Sequence, residues 1–135
     1  MQVNFASYYS IAAGLCDAAT GILLLFAPSF TLSLMGIDRF PSEPVYLQYI
    51  GAFVLSVGVS YFLPFLLTQD AKERRLAIEI VWSATAIVRL VVASFVTLQL
   101  LRGNLVGGWS LVACTDGLLG VLQVVLVNHW RKKNA

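Results

Sequence analysis

The chain alternates long apolar stretches with short polar breaks. Four such stretches cover residues 5–28, 45–68, 76–101 and 105–130. Each is about 24–26 residues, or roughly 36–39 Å as helix, enough to cross a bilayer with some tilt. The pattern predicts an all-α protein, a four-helix transmembrane bundle built as a single four-span membrane domain over residues 1–135.

Inside each stretch, small and polar residues recur at helical spacing. The first carries Ser10, Gly14, Asp17, Thr20, Gly21 and Leu24. Gln48, Gly51, Leu55, Gly58 and Phe62 follow in the second. The third has Glu79, Trp82, Ser83, Ala86, Arg89, Leu90, Ala93 and Thr97, and the fourth has Ala113, Asp116, Gly120 and Gln123. Small residues let membrane helices approach closely, so these faces are expected to point inward. The opposite faces, such as Leu23-Leu24-Leu25-Phe26 without its stripe residue and Val124-Val125-Leu126, suit lipid.

The breaks carry their own signals. Pro28 is expected to end or kink the first helix, leaving 29–36 as a short amphipathic segment. Asp38-Arg39-Phe40-Pro41-Ser42-Glu43-Pro44 is turn chemistry, and Pro64 predicts a kink in the second stretch. Residues 69–75 read as a polar loop. Gly103-Asn104 is a tight turn that makes the last two helices antiparallel neighbours. Trp82, Trp109 and Trp130 are placed partly as interfacial anchors, with Trp82 too deep to be only that.

Composition agrees: 59% of residues are hydrophobic and 12% charged, against roughly 45–50% and 25% in soluble domains. Lys72, Arg74 and Arg75 lie in one break and Arg131, Lys132 and Lys133 in the tail, whereas the other breaks hold only Arg39 and Arg102. This bias predicts cytoplasmic N- and C-termini, in the inner membrane if the source is bacterial. The net charge of +2 is then a topology signal, and no basic groove suggests nucleic acid. Met1-Gln2-Val3-Asn4 lacks the basic start of a signal peptide.

Cys16 and Cys114, the only cysteines, fall mid-span without a CxxC. They read as small apolar residues in helix packing, able to pair only if their helices touch suitably. His129 reads as an interfacial residue beside Trp130. Neither metal-ligand spacing nor phosphate-loop, GxSxG or HExxH motifs are present, so the sequence suggests no metal and no cofactor beyond a lipid or quinone.

The informative residues are Asp17, Arg89 and Asp116, charges inside otherwise apolar stretches. Each costs about 2.5–3.5 kcal/mol to insert and seldom faces lipid. Counted from the cytoplasmic ends, all three lie roughly 18–21 Å deep. One guanidinium can hold two carboxylates, and the net −1 left over would be removed by a shared proton. Glu79 and Gln123 would form a second polar layer nearer the cytoplasm, with Trp82 beside it. Asp17, Arg89, Asp116, Glu79, Gln123 and Trp82 are therefore the candidate ligand-binding residues. Interhelical glue is the first reading of the same cluster, ahead of a ligand role and of a proton or ion path.

Residues 14–28 (GLCDAATGILLLFAP), Leu34-Met35-Gly36-Ile37, residues 49–58 (YIGAFVLSVG), Ala86-Ile87-Val88-Arg89-Leu90 and Asp116-Gly117-Leu118-Leu119 together resemble the DoxX-like superfamily of small four-helix membrane proteins. The resemblance implies a four-helix bundle that associates with partner proteins, with named members linked to quinone-coupled thiosulfate oxidation, redox defence or receptor assembly. It implies no catalytic motif.

Three functions follow as expectations. The first is a non-catalytic accessory subunit, or lipophile- or quinone-binding module, of a larger membrane assembly. The second is an integral membrane enzyme using Asp17 and Asp116 as acid and base, with Arg89 separating their ionisation, on an isoprenoid, quinone or sterol-like substrate. The third is a proton- or cation-coupled transporter, which four spans would support only as a dimer. The expected partners are the lipid bilayer, a protein partner or second copy, and a lipophilic small molecule.

Overall fold

A computed structural model describes residues 3–132. Met1, Gln2 and the Lys133 of the basic tail lie outside the described residues. Every regular element among those described is helical: α1 (Val3–Phe26), α2 (Pro28–Leu34), α3 (Val45–Ser60), α4 (Leu63–Leu67), α5 (Ala71–Leu101) and α6 (Ser110–Lys132). A 3-10 turn, Gly107–Trp109, leads into α6. Segments Phe5–Phe26, Ala71–Leu101 and Gly107–Lys132 are long and apolar enough to cross a membrane, as expected of an integral membrane protein.

The prolines act where the sequence places them. Pro28 opens α2, and Thr31 N–H donates to the Ala27 carbonyl at 3.0 Å, so the chain re-enters helix after a single residue. Pro64 has a larger effect than a kink. It has no N–H to offer the Ser60 carbonyl. The chain tightens instead, with Tyr61 N–H donating to Gly58 O at 3.3 Å and Phe62 N–H to Val59 O at 3.0 Å. The second apolar stretch is thereby divided into the 16-residue α3 and the 5-residue α4.

Residues 69–75, expected as a loop, are largely helix. Asp70 Oδ2 accepts the N–H groups of Lys72 at 3.1 Å and Glu73 at 3.4 Å. That capping starts α5 at Ala71, because a carboxylate satisfies donors that the first turn leaves free. The far end of α5 closes as a Schellman motif. Asn104 N–H reaches Gln99 O and Gly103 N–H reaches Leu100 O, both at 3.0 Å. Gly103 takes φ +73°, a conformation that a Cβ would disfavour.

The described residues form two compact units. One comprises residues 3–34 and 40–81, the other residues 35–39 and 82–132. In the first, α1 and α3 run antiparallel with backbones nearly touching. A Cβ at Gly21 would lie 2.5 Å from the Leu55 nitrogen, and one at Gly58 only 2.4 Å from the Ala18 nitrogen. Gly14 and Gly51 meet the partner helix almost as closely. Gln48 Nε2 donates to the Leu25 carbonyl at 3.1 Å where the two helices meet at their other end. The expected inward stripe of α1 is therefore the contact face, with Ser10, Gly14, Gly21 and Leu24 buried.

In the second unit, residues 82–101 of α5 pack antiparallel on α6. Trp82 meets Trp130 at a ring-centroid distance of 6.2 Å, and a Cβ at Gly120 would lie 2.9 Å from Leu90. The buried Ile37 packs on Gly108, whose Cβ would fall 2.7 Å from the Ile37 side chain. The tight turn thus yields the antiparallel pair the sequence predicts. Two expectations fail. Cys16 and Cys114 lie on exposed helix faces as free thiols rather than in helix packing, and Thr97 is exposed.

Candidate functional site

The site begins with residues that helical spacing puts on one face. On α5, Trp82, Thr85, Ala86 and Arg89 follow one another at three- or four-residue steps, and all four are buried. On α6, Asp116, Gly120, Gln123, Val127 and Trp130 do the same, with Asp116 alone partly exposed. Antiparallel pairing brings these rows into register. From one end the matched pairs are Trp82 with Trp130, Thr85 with Gln123, Ala86 with Gly120, and Arg89 with Asp116.

The last pair is ionic. Arg89 Nη1 donates to Asp116 Oδ1 at 2.5 Å, with the arginine side chain 6% exposed and the aspartate 20%. With both groups charged, this is the stronger, charge-assisted kind of hydrogen bond. One layer along, Gln123 Nε2 donates to Thr85 Oγ1 at 3.2 Å, and Thr85 Oγ1 donates to the Trp82 carbonyl at 3.3 Å. This layer is wholly buried, since Gln123 has no exposed surface. Thr85 was not among the residues singled out from sequence. Its position three after Trp82 and four before Arg89 is the signal that could have found it.

The structure thus brings together Arg89 with Asp116 and places Gln123 with Thr85 in an adjoining polar layer. Trp82 is engaged in packing against Trp130. Asp17 and Glu79 belong to the first unit, where both are half-buried, Asp17 on α1 and Glu79 early in α5. His129 is exposed in the last turn of α6. Among the described residues no three His, Cys, Asp or Glu side chains gather as a metal site would require.

Next to the ion pair the helices part. A groove of about 990 Å³ runs along α5 and α6, lined by Leu90, Ala93, Gly117, Leu118 and Val121 among other almost wholly apolar residues. Its origin is the small side chains: a Cβ on Gly117 would still be 3.8 Å from its nearest neighbour, Ala93. Leu90 and Gly117 directly follow Arg89 and Asp116 in the chain, so the groove and the ion pair share a level of the helix pair, although neither Arg89 nor Asp116 lines the groove. An apolar channel of that size can hold a lipophilic tail.

No protein-family model matches the chain, nor does any curated protein or solved structure. What fold and site define is a class, helical membrane proteins with an interhelical ion pair and an apolar groove along the same two helices.

Proposed function

We propose that this chain is a four-span membrane protein, α3 and α4 together making the second span, with both termini cytoplasmic. It acts as a non-catalytic accessory subunit of a larger membrane assembly and holds a lipophile of quinone or isoprenoid type. The observation carrying this reading is the 990 Å³ apolar groove along α5 and α6, at the level of the Arg89–Asp116 ion pair. That volume is at the upper end of the roughly 300–1,000 Å³ usual for small-ligand sites. The DoxX-like resemblance supports the accessory role, and the six-to-two bias of basic residues supports the orientation.

The test is titration of the purified protein in mild detergent with a short-tailed benzoquinone, read by tryptophan fluorescence. Wild type is expected to bind saturably. Gly117→Phe, which fills the groove, is expected to lose binding while keeping its helical circular dichroism. Non-saturable partitioning, identical in both proteins, would refute the lipophile reading. Turnover of such a compound by the isolated chain would refute the non-catalytic one.

A further inference from the structure

A second groove lies between α5 and α6, nearer the end of α6. It is about 190 Å³ and is lined by Ser83 and Ile87 of α5 and by Val124, Val127, Asn128 and Arg131 of α6. Its two ends differ in chemistry. Ile87, Val124 and Val127 make an apolar floor, while Ser83, Asn128 and Arg131 supply a hydroxyl, an amide and a guanidinium. The α6 residues recur at three- or four-residue steps, so they form one continuous strip. From Val124 to Arg131 that strip rises about 10 Å along the axis, the depth of a glycerol backbone and the first part of an acyl chain.

We propose that this groove is a binding site for an anionic phospholipid, its phosphate at Asn128 and Arg131 and one chain along Ile87, Val124 and Val127. Charge complementarity selects this occupant. Arg131 and Lys132 are both exposed in the last turn of α6, and Lys133 follows in sequence. The carbonyl end of a helix carries about half a negative charge and repels anions. Two to three adjacent cations outweigh it. Basic pockets at the membrane boundary between helices are where anionic head groups bind, and here the apolar floor continues from the cations toward the bilayer interior. This site is separate from the larger groove, so it can fail while the proposed function stands.

The full chain, released from detergent in native mass spectrometry after equilibration with equal phosphatidylglycerol and phosphatidylcholine, reads the preference directly. Wild type is expected to retain phosphatidylglycerol. Arg131→Gln is expected to weaken that retention about fivefold, the contribution of one basic side chain near an anionic surface, and Lys132→Gln, off the groove, to weaken it less. Ile87→Trp changes an exposed residue and fills the floor. It is expected to abolish retention with the melting temperature and elution volume unchanged. Equal retention of the two lipids by wild type overturns the proposal, as does equal loss in Arg131→Gln and Lys132→Gln. Unaltered retention in Ile87→Trp also overturns it, leaving surface charge alone. So does a shift from dimer to monomer in that variant, which would make the occupant a second copy of the chain.

Discussion

Replacing Arg89 with Met and Asp116 with Leu, singly and together, measures how much the ion pair contributes to stability. The charges are in direct contact at 2.5 Å, with 6% and 20% of their side chains exposed. At charge centres about 4 Å apart and an effective dielectric of about 20, their attraction is near 4 kcal/mol. Desolvation offsets much of that, and removing one member of a buried pair typically costs about 3–5 kcal/mol because the other is stranded. Membrane interhelical hydrogen bonds usually measure closer to 1 kcal/mol, since the unfolded chain also finds partners in lipid. Balancing these, each single variant is expected to lose about 2–3 kcal/mol. The double variant exchanges the pair for apolar side chains and is expected to return to within about 1 kcal/mol of wild type. The assay is unfolding in mixed detergent micelles followed by near-ultraviolet circular dichroism. Singles indistinguishable from wild type, or a double variant equal to the sum of the singles, would falsify the pairing argument.

The remaining predictions use the same assay or simple chemistry. Gly58→Ala places a Cβ 2.4 Å from the Ala18 nitrogen, a backbone atom that cannot turn aside, and should destabilise by about 1–3 kcal/mol. Gly117→Ala meets nothing closer than 3.8 Å and should be neutral or slightly stabilising, and a reversed order of the two variants would contradict the packing described for both helix pairs. Trp82→Ala should cost about 3–5 kcal/mol and remove the near-ultraviolet signal of its contact with Trp130; retention of that signal would show the contact is absent. Cys114 lines the larger groove and Cys16 does not, so a bound benzoquinone should slow alkylation of Cys114 by N-phenylmaleimide and leave Cys16 unaffected. Equal rates with and without the quinone would place it elsewhere.

Much of this fold was legible because membrane helices need one narrow face of small and polar residues. The stripe Ser10, Gly14, Gly21 and Leu24 is buried as read, and so are Trp82, Ala86, Arg89 and Ala93. The cysteines misled because their side chains are equally at home in packing and in lipid. Spacing was the better guide: Cys16 is two residues from Gly14 and Cys114 two before Asp116, about 200° around the helix, which turns Cys16 from the α3 contact and Cys114 from the ion pair toward the exposed wall of the groove. Residues 69–75 were read from their charge, which hid Asp70 and Glu73 at the spacing of a helix start. The larger groove along α5 and α6 was not legible at all. It arises from how far apart two helices stand, and no single-chain periodicity encodes that distance.

The two helix pairs solve one physical problem differently, and the difference explains where a site could arise. In lipid the tails are as apolar as leucine, so helices associate through close packing or through polar bonds. Between α1 and α3 glycines bring the backbones into contact, and dispersion over that surface suffices. Between α5 and α6 close contact is made at Gly120 but lost at Gly117, one helical turn nearer the start of α6. The Arg89–Asp116 bond sits at that transition. There the helices still need holding, and packing no longer does it. A polar bond placed where close packing ends holds the pair together. The same geometry therefore makes Asp116 the structural partner of Arg89 and leaves the gap beyond it as the apolar groove.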